Sequence, residues 1–198
     1  MTRNQDLSQL EIHTGYFVAS EMEKRGFSRT AISQFAKENN LQRVARGLYH
    51  SDDSGEDPLF ELQHRYPKAI FSHETALFLL DEAERVPSTP TITIPQSASA
   101  TRLSESDVIV RKVKDDRFEI GLSHATTMFG HSVRTYDWER TICDLFRSRS
   151  TVESQDLLSA FRNYMRSSKR DLTKLTEYAA QFRLTNVMRP YLEAVMTS

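Results

Sequence analysis

One short segment of the chain concentrates side chains that can donate hydrogen bonds to nucleic acid. Thr30, Ser33, Gln34 and Lys37 recur at i, i+3, i+4 and i+7, directly after Arg29. Hydroxyl and amide groups can read base edges, whereas Arg29 and Lys37 can contact guanine edges or phosphate oxygens. The spacing therefore predicts one polar helical face that meets the major groove of double-stranded DNA.

Two more arginines follow this face in a segment typical of a β-hairpin. Arg43 and Arg46 lie among alternating residues, and Arg46-Gly47 is a turn pair between two short strands. Basic side chains on a hairpin can lie along the DNA backbone or enter the minor groove, and such binding weakens as salt rises. We therefore expect Arg43 and Arg46 to join the same DNA-binding surface.

The charge distribution favours this interpretation, although the 198-residue chain has a formal net charge of only −1. Residues 24–46 hold six basic side chains and one acidic one, a local balance of +5, so the remainder sums to −6. A compact basic patch on an acidic protein is typical of a chain that presents one face to phosphates.

Helices and a hairpin in a fixed order must position these side chains. The predicted elements are a helix over 4–13, a second over 19–25 with Ser20 and Glu23 at capping-box spacing, a third over 29–38 capped by Ser28, and strands over 41–45 and 48–50. This order predicts a winged helix-turn-helix domain over residues 1–50.

An α+β domain is predicted behind a polar linker at 51–58 and extends over residues 59–198. Its expected elements are helices over 59–65 and 72–80, the latter capped by Ser72, then a small, mostly antiparallel sheet, and a C-terminal helical bundle with Asp137 and Asp171 as helix caps. The predicted strands carry Ile92 and Ile94, Val108 to Val110, the alternating Phe118, Ile120 and Leu122, and Val133 to Tyr136. The fold class is therefore α+β.

No motif of a known enzyme class occurs in the sequence, so we expect neither catalysis nor a cofactor or metal. Glycine-rich phosphate loops, His-x-x-x-His pairs and nucleophile elbows are absent, and the single cysteine, Cys143, excludes an internal disulfide and a cysteine-rich zinc site. Cys143 is interpreted as a core thiol. His73 is interpreted as a partner in a buried hydrogen bond or as serving its helix dipole, and Asp144 as an ion-pairing residue. A polar N-terminus and the lack of a long apolar run predict a cytoplasmic protein without a membrane span.

Three segments of the sequence resemble the AbiEi antitoxin family. The first includes Gly15-Tyr16-Phe17, residues 26–29 and the wing motif L-x-R-V-x-R-G-x-Y at residues 41–49; the others are residues 65–77 and 136–145. The resemblance implies an antitoxin of the type IV kind, encoded beside a nucleotidyltransferase-like toxin and active in abortive defence against phage. It also implies autorepression through inverted repeats, with a possible dimer on the DNA, and a C-terminal region that counters the toxin, direct toxin binding being unusual.

Other interpretations of the same residues stay open at this point. Residues 1–50 are also compatible with a small helical bundle whose polar face is only solvated, or with a protein-docking module in an antitoxin that inhibits its toxin by direct complex formation. An enzyme acting on nucleic acid would require carboxylates that converge in the folded chain. The basic outer faces of the last helices are interpreted as solvated, with a second contact surface as the alternative.

Overall fold

A computed structural model describes residues 15–51, 55–83, 85–101, 103 and 107–196, the side chains of residues 195 and 196 excepted. The predicted helix over 4–13 lies outside these residues. The chain divides into two compact units, the first comprising Met1–Pro67 with Thr126–Ser132 and the second Lys68–Ala125 with Val133–Ser198. The described residues form helices and two β-sheets, so the protein has a mixed α and β fold.

The described part of the first unit begins with a strand and two helices. Its elements are β1 (Tyr16–Val18), α1 (Ala19–Lys24), α2 (Arg29–Glu38), β2 (Gln42–Ala45), β3 (Leu48–His50) and α3 (Pro58–Arg65). The strands form an antiparallel sheet in the order β1-β3-β2. The predicted hairpin and the helix over 29–38 are thus confirmed, and the residues after Gly15 add a third strand.

The start of α1 differs from the predicted capping box. Val18 occupies the N-cap position without a side-chain hydrogen bond, and Ser20 lies one residue inside the helix. The junction is held instead by the Ala19 amide, which donates to the Gly47 carbonyl at 2.8 Å. A strand that runs directly into a helix leaves the capping position to its own last residue, so the Ser20 prediction was wrong. The Ser28 cap is confirmed, because its hydroxyl accepts from the Ala31 amide at 3.2 Å.

The first unit extends past the predicted linker. Asp57 is buried and caps α3, accepting a hydrogen bond from the Phe60 amide, and the same side chain accepts from Thr127 Oγ1 at 2.5 Å and lies 2.7 Å from His131 Nδ1. The Tyr16 hydroxyl accepts from the Asp57 amide at 2.8 Å. Because a buried carboxylate needs these partners, α3 and residues 126–132 belong to this unit, and its boundary follows Pro67 instead of the 51–58 stretch.

The second unit is built on a mixed five-stranded sheet, which corrects the prediction of a mostly antiparallel one. The strands are β4 (Ile70–Phe71), β5 (Thr91–Pro95), β6 (Ile109–Val113), β7 (Leu122–Thr126) and β8 (Ser132–Tyr136), in the order β6-β5-β4-β8-β7. β4 pairs with β5 antiparallel, whereas β5 with β6 and β4 with β8 are parallel. Phe118 and Ile120 lie outside the strands, next to a 3₁₀ turn at Asp115–Arg117.

Five helices complete the described part of the second unit. They are α4 (His73–Leu79), α5 (Trp138–Arg147), α6 (Ser154–Arg166), α7 (Leu172–Gln181) and α8 (Thr185–Met196). Asp137 and Asp171 cap α5 and α7 as predicted, each accepting from the amide three residues on. Ser72 stands at the start of α4 but makes no capping bond, because its hydroxyl contacts Thr93 and His73 instead.

A fully buried ion pair lies in α5. Arg140 Nε contacts Asp144 Oδ2 at 3.0 Å, and both side chains are inaccessible to solvent. The guanidinium also donates to the Arg117 and Ile120 carbonyls and lies over the Tyr136 and Phe182 rings, 4.0 and 4.3 Å from their centroids. The ion-pairing prediction for Asp144 is confirmed, and the pair connects α5 to the chain before β7.

The Cys143 thiol is buried in the core of the second unit, as predicted. Burial raises its pKa to about 12, because the thiolate would lose its hydration. At pH 8 the thiol is therefore protonated, and we expect the native protein to resist a thiol reagent that modifies the urea-unfolded chain within minutes. Fast modification of the native protein at pH 8 would contradict this packing.

None of the described helices has the length and apolar character needed to cross a membrane.

Candidate nucleic-acid interface

The helix α2 separates a buried face from a polar one. Ile32, Phe35 and Ala36 are buried, and the Phe35 ring lies 5.1 Å from the Phe17 ring of β1. All five predicted side chains of this helix are exposed: Arg29, Thr30, Ser33, Gln34 and Lys37. The amphipathic period fixes this outcome, since packing one face on the β1 sheet leaves the opposite face to solvent.

Two of the exposed side chains of α2 have acidic neighbours. Arg29 Nε lies 2.8 Å from Glu23 Oε1, and Gln34 Nε2 donates to Glu38 Oε1 at 2.8 Å. The Arg29 side chain is 88% exposed, so the pair is screened by water and contributes little to stability. Arg29 and Gln34 can therefore exchange these partners for a ligand at a small cost in free energy.

The hairpin presents the two remaining predicted side chains. Arg43 of β2 and Arg46 of the turn are exposed. Arg43 Nε donates a hydrogen bond to the Ala45 carbonyl at 3.4 Å. Gly47 has φ +75°, a left-handed conformation that closes the turn and that glycine adopts without strain. The turn therefore holds Arg46 at the tip of the hairpin.

The helix α3 holds this hairpin through two hydrogen bonds, which the sequence did not predict. Arg65 Nη2 donates to the Val44 carbonyl and His64 Nε2 to the Arg46 carbonyl, both at 3.3 Å. These bonds fix the backbone beneath Arg43 and Arg46. Arg65 is exposed and adds a further positive charge beside β2. Spacing could not assign this role, because the pairing depends on how α3 folds back onto β2.

A basic hairpin and an amphipathic helix with outward hydrogen-bond donors, all in one compact unit, can bind a polyanion. The guanidinium and ammonium groups can neutralise phosphates, and Thr30, Ser33 and Gln34 can exchange hydrogen bonds with base edges. Among the described residues no group of histidine, cysteine and carboxylate side chains could hold a metal ion.

Comparison with known proteins gives a likeness of fold. No protein-family model and no curated protein sequence matches the chain. A solved structure of the RV2827C protein from Mycobacterium tuberculosis is similar, with a TM-score of 0.52 and 14% sequence identity over 84% of this chain. This chain spans 66% of the length of that solved chain. At this identity the similarity shows a shared fold alone.

Proposed function

We propose that the protein is a DNA-binding transcriptional autorepressor whose first unit is a winged helix-turn-helix. In this proposal α2 is the recognition helix and the β2–β3 hairpin is the wing. The observation that carries the proposal is the exposure of all seven predicted side chains on these two elements, within a segment of local charge +5. The local charge of +5 in a chain whose net charge is −1 favours a phosphate-bearing ligand over a merely solvated face.

The antitoxin role is the second part of the proposal and rests on the AbiEi resemblance. The chain would repress the operon that encodes it together with a nucleotidyltransferase-like toxin, and two copies would bind the inverted repeats of the operator. A closed pair of copies matches the symmetry of such a site. Co-expression tests this part: the neighbouring toxin should arrest growth alone and lose that effect when this protein is present.

Binding to the upstream region of its own operon tests the first part. Fluorescence polarisation with a labelled upstream duplex should give a Kd at least about 1000-fold below that for a scrambled duplex, the ratio typical of specific regulators. Equal affinity for both duplexes would overturn the repressor proposal. Tight co-purification with the toxin combined with such equal affinity would indicate a protein-docking module instead.

Gln34 is expected to set sequence preference in this assay. Its amide can pair with adenine in the major groove, and the loss of such a bidentate contact costs about 1–3 kcal/mol, or roughly 5- to 150-fold in affinity. Gln34→Ala should therefore lower the affinity for the operator and leave that for scrambled DNA nearly unchanged. Glu38→Ala serves as the control, because it removes the partner of Gln34 and leaves the amide in place. An equal loss on both duplexes would exclude base reading by Gln34.

A further inference from the structure

The second unit contains a hydroxyl held against a buried imidazole. Ser148, the half-buried residue at the end of α5, has its Oγ 2.9 Å from His73 Nε2. His73 Nδ1 lies 3.0 Å from Ser72 Oγ, which also accepts from Thr93 Oγ1 at 2.9 Å. In the tautomer protonated at Nδ1, the ring donates to Ser72 and the Ser148 hydroxyl donates to Nε2. This is the hydrogen-bond pattern of a nucleophile, a base and a group that orients the base.

The backbone at His73 is strained. His73 has φ +55°, although it is the first residue of α4 and carries a full side chain. Left-handed residues with a full side chain are disfavoured and cluster at functional sites. Its side chain is 2% exposed, and a simple helix start would need neither the strain nor the burial. The strained residue is thus held in place by its hydrogen bonds to two serines.

Charged groups surround the pair from three elements. Asp144 and Arg147 of α5, Glu74 of α4 and Arg111 of β6 all act on the imidazole. Burial is the largest influence and holds the pKa of His73 below its ordinary value of 6.5, so the ring is neutral and can accept a proton at pH 7. Asp144 and Glu74 oppose that shift and would stabilise the imidazolium formed by proton transfer.

Arg111 places a positive charge on the Ser148 side of the pair. Its Nη2 donates to Thr151 Oγ1 at 3.1 Å, and the Thr151 hydroxyl and amide both donate to the Ser148 carbonyl. Within the described residues, Arg111 Nε is buried and has no hydrogen-bond partner. A guanidinium that has an unpaired donor and is linked to Ser148 through Thr151 is suited to phosphoryl oxygens, which carry negative charge.

We propose that Ser148 and His73 form a nucleophile–base pair that accepts a phosphoryl-type group from an activated phosphorus ester, with Arg111 stabilising the phosphoryl oxygens. Ser148 Oγ forms the new bond to phosphorus, and its proton passes to His73 Nε2. The bond to the leaving group breaks, and the leaving group departs with the electron pair. This activity is separate from DNA binding, because none of its residues lies in the first unit.

A fluorophosphonate probe tests the pair on the full-length protein. Its P–F bond breaks on attack and fluoride leaves, so intact mass and peptide mapping should show one probe group on Ser148. Ser148→Ala should lose this label, whereas Ser150→Ala, which changes an exposed serine two residues away, should keep it. Absence of label on Ser148, or equal labelling of surface serines, would overturn the proposal.

The base is tested by rate and by pH. His73→Gln should slow labelling at least about 100-fold, the usual contribution of a general base. Arg111→Gln should slow it at least about tenfold, the factor that corresponds to the loss of one hydrogen bond to a charged group. In the wild-type protein the labelling rate should be constant from pH 7 to 9 and fall only below the ordinary histidine pKa of 6.5, as Nε2 becomes protonated.

Two results would refute the role of His73. One is a folded His73→Gln variant that labels at the wild-type rate. The other, which needs no variant, is a wild-type rate that rises tenfold per pH unit from 7 to 9, because hydroxide would then be removing the proton from Ser148 in place of the imidazole.

Discussion

Replacing both Arg43 and Arg46 with alanine is expected to weaken binding to operator and scrambled DNA alike. Both side chains project from the hairpin into solvent and are proposed to contact phosphates, which carry no sequence information. Loss of two such contacts should raise both Kd values about 10- to 100-fold near 0.1 M salt and reduce the slope of log K against log salt by about 2. Polarisation titrations at four salt concentrations measure both quantities.

A matched pair of arginines provides the control for this double variant. Arg162 and Arg166 are exposed on α6 of the second unit, so their replacement removes the same net charge elsewhere on the chain. If the hairpin contacts phosphates directly, this control should change the salt slope far less. Equal effects of the two double variants would mean that total charge alone attracts DNA, and the wing assignment would then be wrong.

Arg140→Met is expected to produce the largest loss of stability of any single substitution considered. It leaves Asp144 buried with Arg147 as its remaining ion-pair partner, and it deprives the Arg117 and Ile120 carbonyls of a donor. Breaking a buried pair by removing one partner costs about 3–5 kcal/mol. Urea unfolding followed by fluorescence of Trp138, the single tryptophan, should show this loss in the free energy of unfolding of the second unit.

A double variant separates the cost of a buried charge that has lost one partner from the cost of lost packing. Arg140→Met combined with Asp144→Leu removes both buried charges, and it should be more stable than Arg140→Met alone. The exposed pair Arg189–Glu193 gives the contrast, since Arg189→Ala should change stability by less than about 0.5 kcal/mol. A double variant less stable than the single one would show that Asp144 stabilises the unit even without Arg140, through its remaining pair with Arg147.

The sequence predicted the elements of the first unit well because each has a local cause. Hydrophobic period places Ile32 and Phe35 inward, and Ser28 caps the helix that follows it. The exposure of the five candidate side chains on α2 follows from the same period. What local pattern could not predict is the bracing of β2 by His64 and Arg65, since that contact joins residues about 20 positions apart.

The strand directions in the sheet of the second unit could not be predicted from local pattern. Alternating residues predict that Ile92 and Ile94 lie in a strand, but the same alternation serves parallel and antiparallel neighbours. β4 has only two residues, too few for any period, and yet it occupies the centre of the sheet. The arrangement at His73 was equally hidden, because its partner Ser148 and the Ser72 partner Thr93 come from separate parts of the chain. The sequence predicted a buried histidine hydrogen bond there but not its partners.

The contact of Asp57 with Thr127 and His131 limits where the gene can be divided. A stop codon after residue 67 would supply every proposed DNA-binding side chain and yet omit the two residues that satisfy the Asp57 carboxylate. The first unit is therefore encoded in two separated pieces, with part of the second between them. Recombination between relatives at the apparent linker would exchange one piece without the other, so the two pieces are expected to be inherited together.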